Sequence, residues 1–162
     1  MAKTEFYSNI LDDYLIDKTY EFDNEMIKKQ KAIFQNFIKN KIPKNILGFK
    51  EISLNRDVKV RVNVIHYIFI KKLHKLEDGT FIIITPETAK KYKLSYEYDV
   101  QIDMNIFNNN KKLIRTAKNI WLGSIPIMVG SCECKFSSDK ENYGGYFIIN
   151  GEEKILNKKN EL

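Results

Sequence analysis

The chain has 162 residues, 43% hydrophobic and 30% charged, with a formal net charge of +6. A chain of that length can bury about two-thirds of its unfolded surface, and its composition argues for a folded domain and against disorder. No apolar run approaches the ~20 residues of a membrane-spanning helix, and the opening stretch MAKTEFYSNILDDYLID lacks the basic-then-apolar order of a secretory signal.

The charge is uneven. Residues 1–25 hold two lysines against seven acids, a net −5, which leaves +11 for the rest. An acidic head on a basic body suits contact with a polyanion or with an acidic protein face, although a Lys-rich solvated surface gives the same count. The two cysteines, Cys132 and Cys134, are one residue apart. That spacing would strain a disulfide, and two thiols are too few for a four-ligand zinc site. The expectation is an intracellular, reducing compartment.

In chain order, Ile10, Leu11, Tyr14 and Leu15 recur at helical spacing behind Ser8 and predict a short first helix. Met26, Ile27, Ile33, Phe34, Phe37 and Ile38 then line one face, while Lys28, Lys29, Lys31, Gln35 and Lys39 fall mostly on the other. With Asp23 or Asn24 to cap it and Pro43 to stop it, a long helix is expected over 24–41.

The period then changes to two. Val58, Val60, Val62 and Val64 alternate with Lys59, Arg61 and Asn63, and the run stays apolar through Ile70. His66 and His74 near this strand read as packing residues. Asp78-Gly79 marks a turn before a strand at 81–84, and Val100, Ile102 and Met104 mark another strand. Asn108-Asn109-Asn110 with Lys111-Lys112 reads as a loop tip. Pro126, within Ile125-Pro126-Ile127-Met128, cannot donate to a ladder and predicts an edge or a strand start.

Last comes a hairpin: Tyr146–Ile149, a type I′ turn at Asn150-Gly151, and a return strand over Glu153–Leu156. Gly144 and Gly145 let the chain turn sharply into it. The fold class is α+β: a helical part (8–43) followed by a mainly antiparallel β-rich part (50–162), within one unit over 1–162.

No phosphate-binding glycine loop, dinucleotide fingerprint, zinc-protease helix or nucleophile elbow occurs, and no group of aspartates resembles a two-metal site. Tyr92, Tyr96 and Tyr98 lie beside Lys90, Lys91 and Lys93. Aromatics interleaved with lysines can stack on and neutralise single-stranded nucleic acid, and the same pattern fits sheet packing by tyrosine with solvated lysine. Residue types alone reach a basic α+β domain, a candidate binding module.

Three segments resemble one family. Trp121 to Cys134 contains Ile125-Pro126-Ile127-Met128-Val129-Gly130-Ser131-Cys132-Glu133-Cys134, and Gly144-Gly145-Tyr146-Phe147-Ile148-Ile149-Asn150-Gly151-Glu152-Glu153-Lys154-Ile155 follows. Upstream stand Thr85-Pro86-Glu87-Thr88-Ala89-Lys90-Lys91-Tyr92-Lys93-Leu94-Ser95-Tyr96 and Val100-Gln101-Ile102-Asp103. Together they look like the N-terminal region of the second-largest subunit of multisubunit DNA-directed RNA polymerases of eukaryotic, archaeal and large-DNA-virus type. Lys90 and Tyr92 stand where that family has arginines, and Glu152 replaces its usual serine.

The resemblance implies a partial protrusion domain: a structural, DNA-proximal element that contributes to transcription as part of a nucleotidyltransferase complex. It implies framework roles for Pro126, Met128, Gly144, Gly145, Tyr146, Phe147, Asn150, Gly151, Glu153 and Lys154. Lys90, Lys91, Tyr92 and Lys93 become candidates for lying close to nucleic acid. No catalytic, metal or cofactor residue can be carried over; the magnesium and zinc of such enzymes would lie elsewhere. The implied partners are the remainder of the second-largest subunit, the largest subunit, other polymerase subunits and DNA, with the RNA–DNA hybrid less direct and no membrane. The nucleus, the cytoplasm or a viral transcription compartment would suit such a part. The competing readings are a stand-alone regulator descended from that subunit and an independent nucleic-acid-binding module using Tyr92, Tyr96 and Tyr98.

Overall fold

The computed structural model describes residues 15–17, 24–53, 59–108, 110–136 and 144–156. Its architecture is α+β, with a long N-terminal helical segment followed by antiparallel sheets and a C-terminal hairpin.

Helix α1 (Asn24–Asn36) continues through a π-helical turn (Phe37–Lys41) into α2 (Ile42–Ile46). Ile27, Phe34, Ile38 and Ile42 form its buried stripe. Met26, Ile33 and Phe37, expected on the same face, are 48%, 45% and 39% exposed. The apolar face is therefore wider than the surface available to bury it.

Pro43 does not end the helical path. It falls in the first turn of α2, where a missing N–H costs no intrahelical bond. The π turn ahead of it takes up an extra residue, with the Ile42 N–H donating to the Phe37 carbonyl. The helix stops instead at Leu47, which is extended, followed by Gly48 at φ +95°.

The expected first helix lies mostly outside the described residues, as does the Asp23 cap. Its last position, Leu15, belongs to a strand, β1 (Leu15–Asp17), which pairs antiparallel with the return strand of the hairpin. So short an apolar pattern fits either element, and here the open edge of the hairpin supplies the backbone partners.

The main sheet has the order β2–β3–β6–β7: β2 (Gly48–Ser53), β3 (Lys59–Lys71), β6 (Glu97–Phe107) and β7 (Leu113–Pro126). A bulge at Ile65 changes the phase of β3. Val62 and Val64 face inward before it, opposite Ile106 and Met104; Tyr67 and Phe69 take over after it, opposite Ile102 and Val100. This is how an apolar run with no clean alternation still builds one inner face. The outer face carries Asn63, His66, Glu97, Asp99, Asp103 and Asn105.

Between β3 and β6 lie a small hairpin, β4 (Leu73–Lys75) and β5 (Phe81–Ile83), and a short helix, α3 (Pro86–Lys91). The Asp78 carboxylate accepts the Thr80 N–H at 2.8 Å, which holds its pKa below the usual carboxylate value. The last described strands are β8 (Phe147–Ile149) and β9 (Glu152–Leu156), in a three-stranded sheet ordered β1–β9–β8.

Candidate functional site

The three segments singled out in the sequence meet at one node. The turn between β8 and β9 has Asn150 at φ +52° and Gly151 at φ +84°, the two positive angles of a type I′ turn. It is held down by the loop before β6. The Gly151 N–H donates to the Leu94 carbonyl at 2.9 Å, and the Asn150 N–H donates to the Ser95 hydroxyl at 3.1 Å. A Cβ on Gly151 would stand 2.8 Å from the Lys93 Cα, so both the turn and the close approach require glycine.

Tyr96 is the centre of the weave. Its N–H donates to the Ile148 carbonyl and its carbonyl accepts the Ile127 N–H, each at 2.9 Å. Val129 completes the knot, donating to the Tyr146 carbonyl at 2.8 Å and accepting from the Gly145 N–H at 2.9 Å. Gly144 (φ +105°) is wedged beneath this crossing, where a Cβ would lie 2.1 Å from the Val129 carbonyl oxygen. Gly145 lies against the helix instead, with room for a Cβ only 3.3 Å from the Ile27 Cα. Helix α1 crosses over the hairpin there. Phe34 meets Phe147 edge-on with centroids 5.5 Å apart, and the Gln30 amide donates to the Leu156 carbonyl. An aromatic pair of that geometry contributes about 0.5–1.5 kcal/mol beyond its buried area.

Met128 is fully buried in this core, and Pro126 ends β7, the outermost strand, as an edge proline should.

The node also buries Tyr96 and Tyr98, which excludes them as stacking platforms for nucleic acid. They are 0% and 2% exposed. Their hydroxyls lie 3.3 Å apart; that of Tyr96 donates to the Cys134 sulfur, and that of Tyr98 to the Glu133 carbonyl. Burial pushes both phenol pKa values above the ordinary 10.0. Cys134 is thus a core thiol, Cys132 is exposed, and both are free. His66 is exposed and His74 half-buried, and no group of three or more His, Cys, Asp or Glu among the described residues is arranged to hold a metal ion.

The lysine cluster lies on the rim of the node. A capping box between Thr85 and Thr88 opens α3. At its other end the Leu94 N–H reaches the Ala89 carbonyl and the Lys93 N–H reaches the Lys90 carbonyl, the Schellman arrangement. That motif places Lys93 at φ +54°, a position usually taken by glycine. Lys90 forms an ion pair with Glu153 on β9, and its ammonium lies 5.5 Å from the Tyr146 ring centroid. Lys91 lies over the Tyr92 ring at 5.1 Å, with both Lys91 and Lys93 exposed. Lys154 pairs with Glu152 at 3.3 Å.

Two contributors escaped sequence reading. Leu94 and Ser95 act through a carbonyl and a hydroxyl, which leave no pattern, whereas the Thr-Pro-Glu-Thr cap of α3 carries a helix-start signal.

A family model described as RNA polymerase beta subunit matches residues 25–161. Among individual proteins, the chain is similar to DNA-directed RNA polymerase subunit Rpo2N of Methanocaldococcus jannaschii, at 27% identity over 91% of this chain and 32% of the relative. Subunit Rpo2 of Sulfolobus acidocaldarius is 25% identical over 85% of this chain and 13% of its own length. DNA-directed RNA polymerase III subunit RPC2 of Schizosaccharomyces pombe is 27% identical over 49% of this chain and 8% of its own. The chain spans at most about a third of the length of these relatives.

Proposed function

The chain belongs to the RNA polymerase beta subunit family, as a counterpart of the N-terminal region of the second-largest subunit, and from that membership we propose that it acts as a structural, DNA-proximal part of a multisubunit DNA-directed RNA polymerase. The observation that carries this reading is the node. Gly144, Gly145, Tyr146, Phe147, Asn150 and Gly151 all serve turns, close approaches or packing, so the motif specifies a shape. A framework element of this kind contributes to transcription by holding its neighbours in place, with the metal chemistry of nucleotidyl transfer supplied by other parts of the assembly.

Contact with nucleic acid is assigned to the rim formed by Lys91, Tyr92 and Lys93, with Lys90 tied to the framework by Glu153. Lys93 supports this assignment. A lysine held in the left-handed region at an exposed position costs stability that glycine would recover, which points to a use for its ammonium group. The partners are the remainder of the second-largest subunit, the largest subunit and the other polymerase subunits, in whichever intracellular compartment transcription takes place.

The test is co-purification of the tagged chain from native extract. The expected result is recovery of the largest subunit and the remainder of the second-largest subunit in equal amounts. Substoichiometric recovery with inhibition of transcription would support a regulator instead.

A further inference from the structure

We propose that the outer edge of β7 is a docking site for an extended acidic segment of a partner protein, added to the main sheet as a further strand. The inference rests on the edge itself and is independent of the polymerase reading.

Three observations carry it. First, β7 runs from Leu113 to Pro126 as the last strand of the sheet order β2–β3–β6–β7, so β6 takes one side and no described strand takes the other. Such an edge presents unpaired backbone donors and acceptors. Second, its first two-thirds is open on both faces: Leu113, Ile114 and Trp121 are 50%, 60% and 51% exposed, and Ile120 is 38% exposed. These side chains offer apolar contacts of the kind that alternate positions of an added strand fill.

Third, residues 110–126 contain Lys111, Lys112, Arg115 and Lys118 and no acid. Arg115 lies opposite Ile106 on the inner face, and Lys118 falls in the register break between Ala117 and Ile120.

The charge decides the occupant. A second copy paired edge to edge would bring like charges together, and β7 also carries register breaks opposite β6 at three places. Lysines and bulges are the usual devices that stop an edge from pairing with itself. They leave an acidic strand as the favoured guest, drawn by the cations and held by backbone hydrogen bonds. Single-stranded nucleic acid would match the charge but could not add to the ladder.

The probe is a fluorescent peptide alternating glutamate with valine or threonine, titrated into the chain in the state in which it purifies. Binding should slow amide exchange over residues 113–121. It should weaken at least about tenfold in Arg115→Glu/Lys118→Glu and stay unchanged in the charge-matched helix variant Lys39→Glu/Lys44→Glu. Peptides N-methylated at alternate amides, in either phase, keep the charge; at least one phase should fail to bind. Equal binding by both methylated phases, equal weakening in the helix control, a preference for a single-stranded oligonucleotide over the peptide, or a self-paired dimer through β7 would each overturn the proposal.

Discussion

In the node, five backbone hydrogen bonds join segments far apart in sequence, and Tyr96, Met128, Tyr146 and Ile148 are at most 1% exposed. Along Leu113–Trp121 the ladder, among the described residues, runs only to β6, and Leu113, Ile114 and Trp121 are half or more exposed. One region is closed by the chain's own backbone; the other presents its surface outward. Stability within a domain follows such differences, with buried, multiply bonded segments opening last. The node is therefore the part suited to keep a shape, and the outer strand the part suited to meet something else.

The sharpest way to break this contrast is at Gly144. Gly144→Ala forces a Cβ to within 2.1 Å of a backbone oxygen at φ +105°, where neither partner can give way. The expected cost is about 3 kcal/mol or more, seen as loss of the cooperative thermal transition or a large fall in melting temperature. Gly151→Val follows, with a cost of about 1–3 kcal/mol from its positive φ and the Lys93 contact. Cys132→Ser, at an exposed thiol nearby, should leave the melting temperature almost unmoved. If Gly151→Val and Cys132→Ser melted together, the turn would not be holding the node.

Alkaline titration tests the tyrosines. Their folded pKa values are raised by burial, so the unfolded chain releases these protons first. Stability is full below about pH 10 and falls above it, as the unfolded chain gives up these protons while the folded chain retains them. Tyr96→Phe should lose about 1 kcal/mol at neutral pH through its hydrogen bonds and should flatten the alkaline fall by one tyrosine's share. An unchanged slope would place the Tyr96 hydroxyl in water.

The smallest effects belong to the exposed regions. Ile114→Thr should change stability by less than about 0.5 kcal/mol. Lys93→Gly should leave the fold intact or up to about 1 kcal/mol more stable, because glycine relieves the left-handed backbone. The same change should weaken salt-dependent binding to nucleic acid. Unaltered binding would remove Lys93 from the proposed interface.

The node was legible where chemistry is local. Asn-Gly specifies a type I′ turn almost by itself, and the turn, its two strands and the flanking glycines lie where their residues put them. The strand through Val60–Ile70 was legible as a strand, but the bulge at Ile65 that turns Tyr67 and Phe69 inward was not. Pro43 misled because the π turn before it is a property of helix packing and leaves no sequence mark. Strand β7 went unread for a related reason. Register breaks against β6 scramble its alternation, and Asn119 even adopts φ +54°. For Tyr96 and Tyr98, tyrosines beside lysines suit a stacking surface as well as a core, and only the segments folded over them decide between the two.

Amide hydrogen exchange, resolved by residue and read on the chain free and in the proposed polymerase assembly, tests the central contrast most directly. The N–H groups of Tyr96, Ile127, Val129, Gly145 and Gly151 should be the slowest in both states, while those of residues 113–121 that point away from β6 exchange quickly in the free chain. Exchange at the node as fast as along β7 would contradict the account, because a hairpin that opens so readily could not serve as a framework.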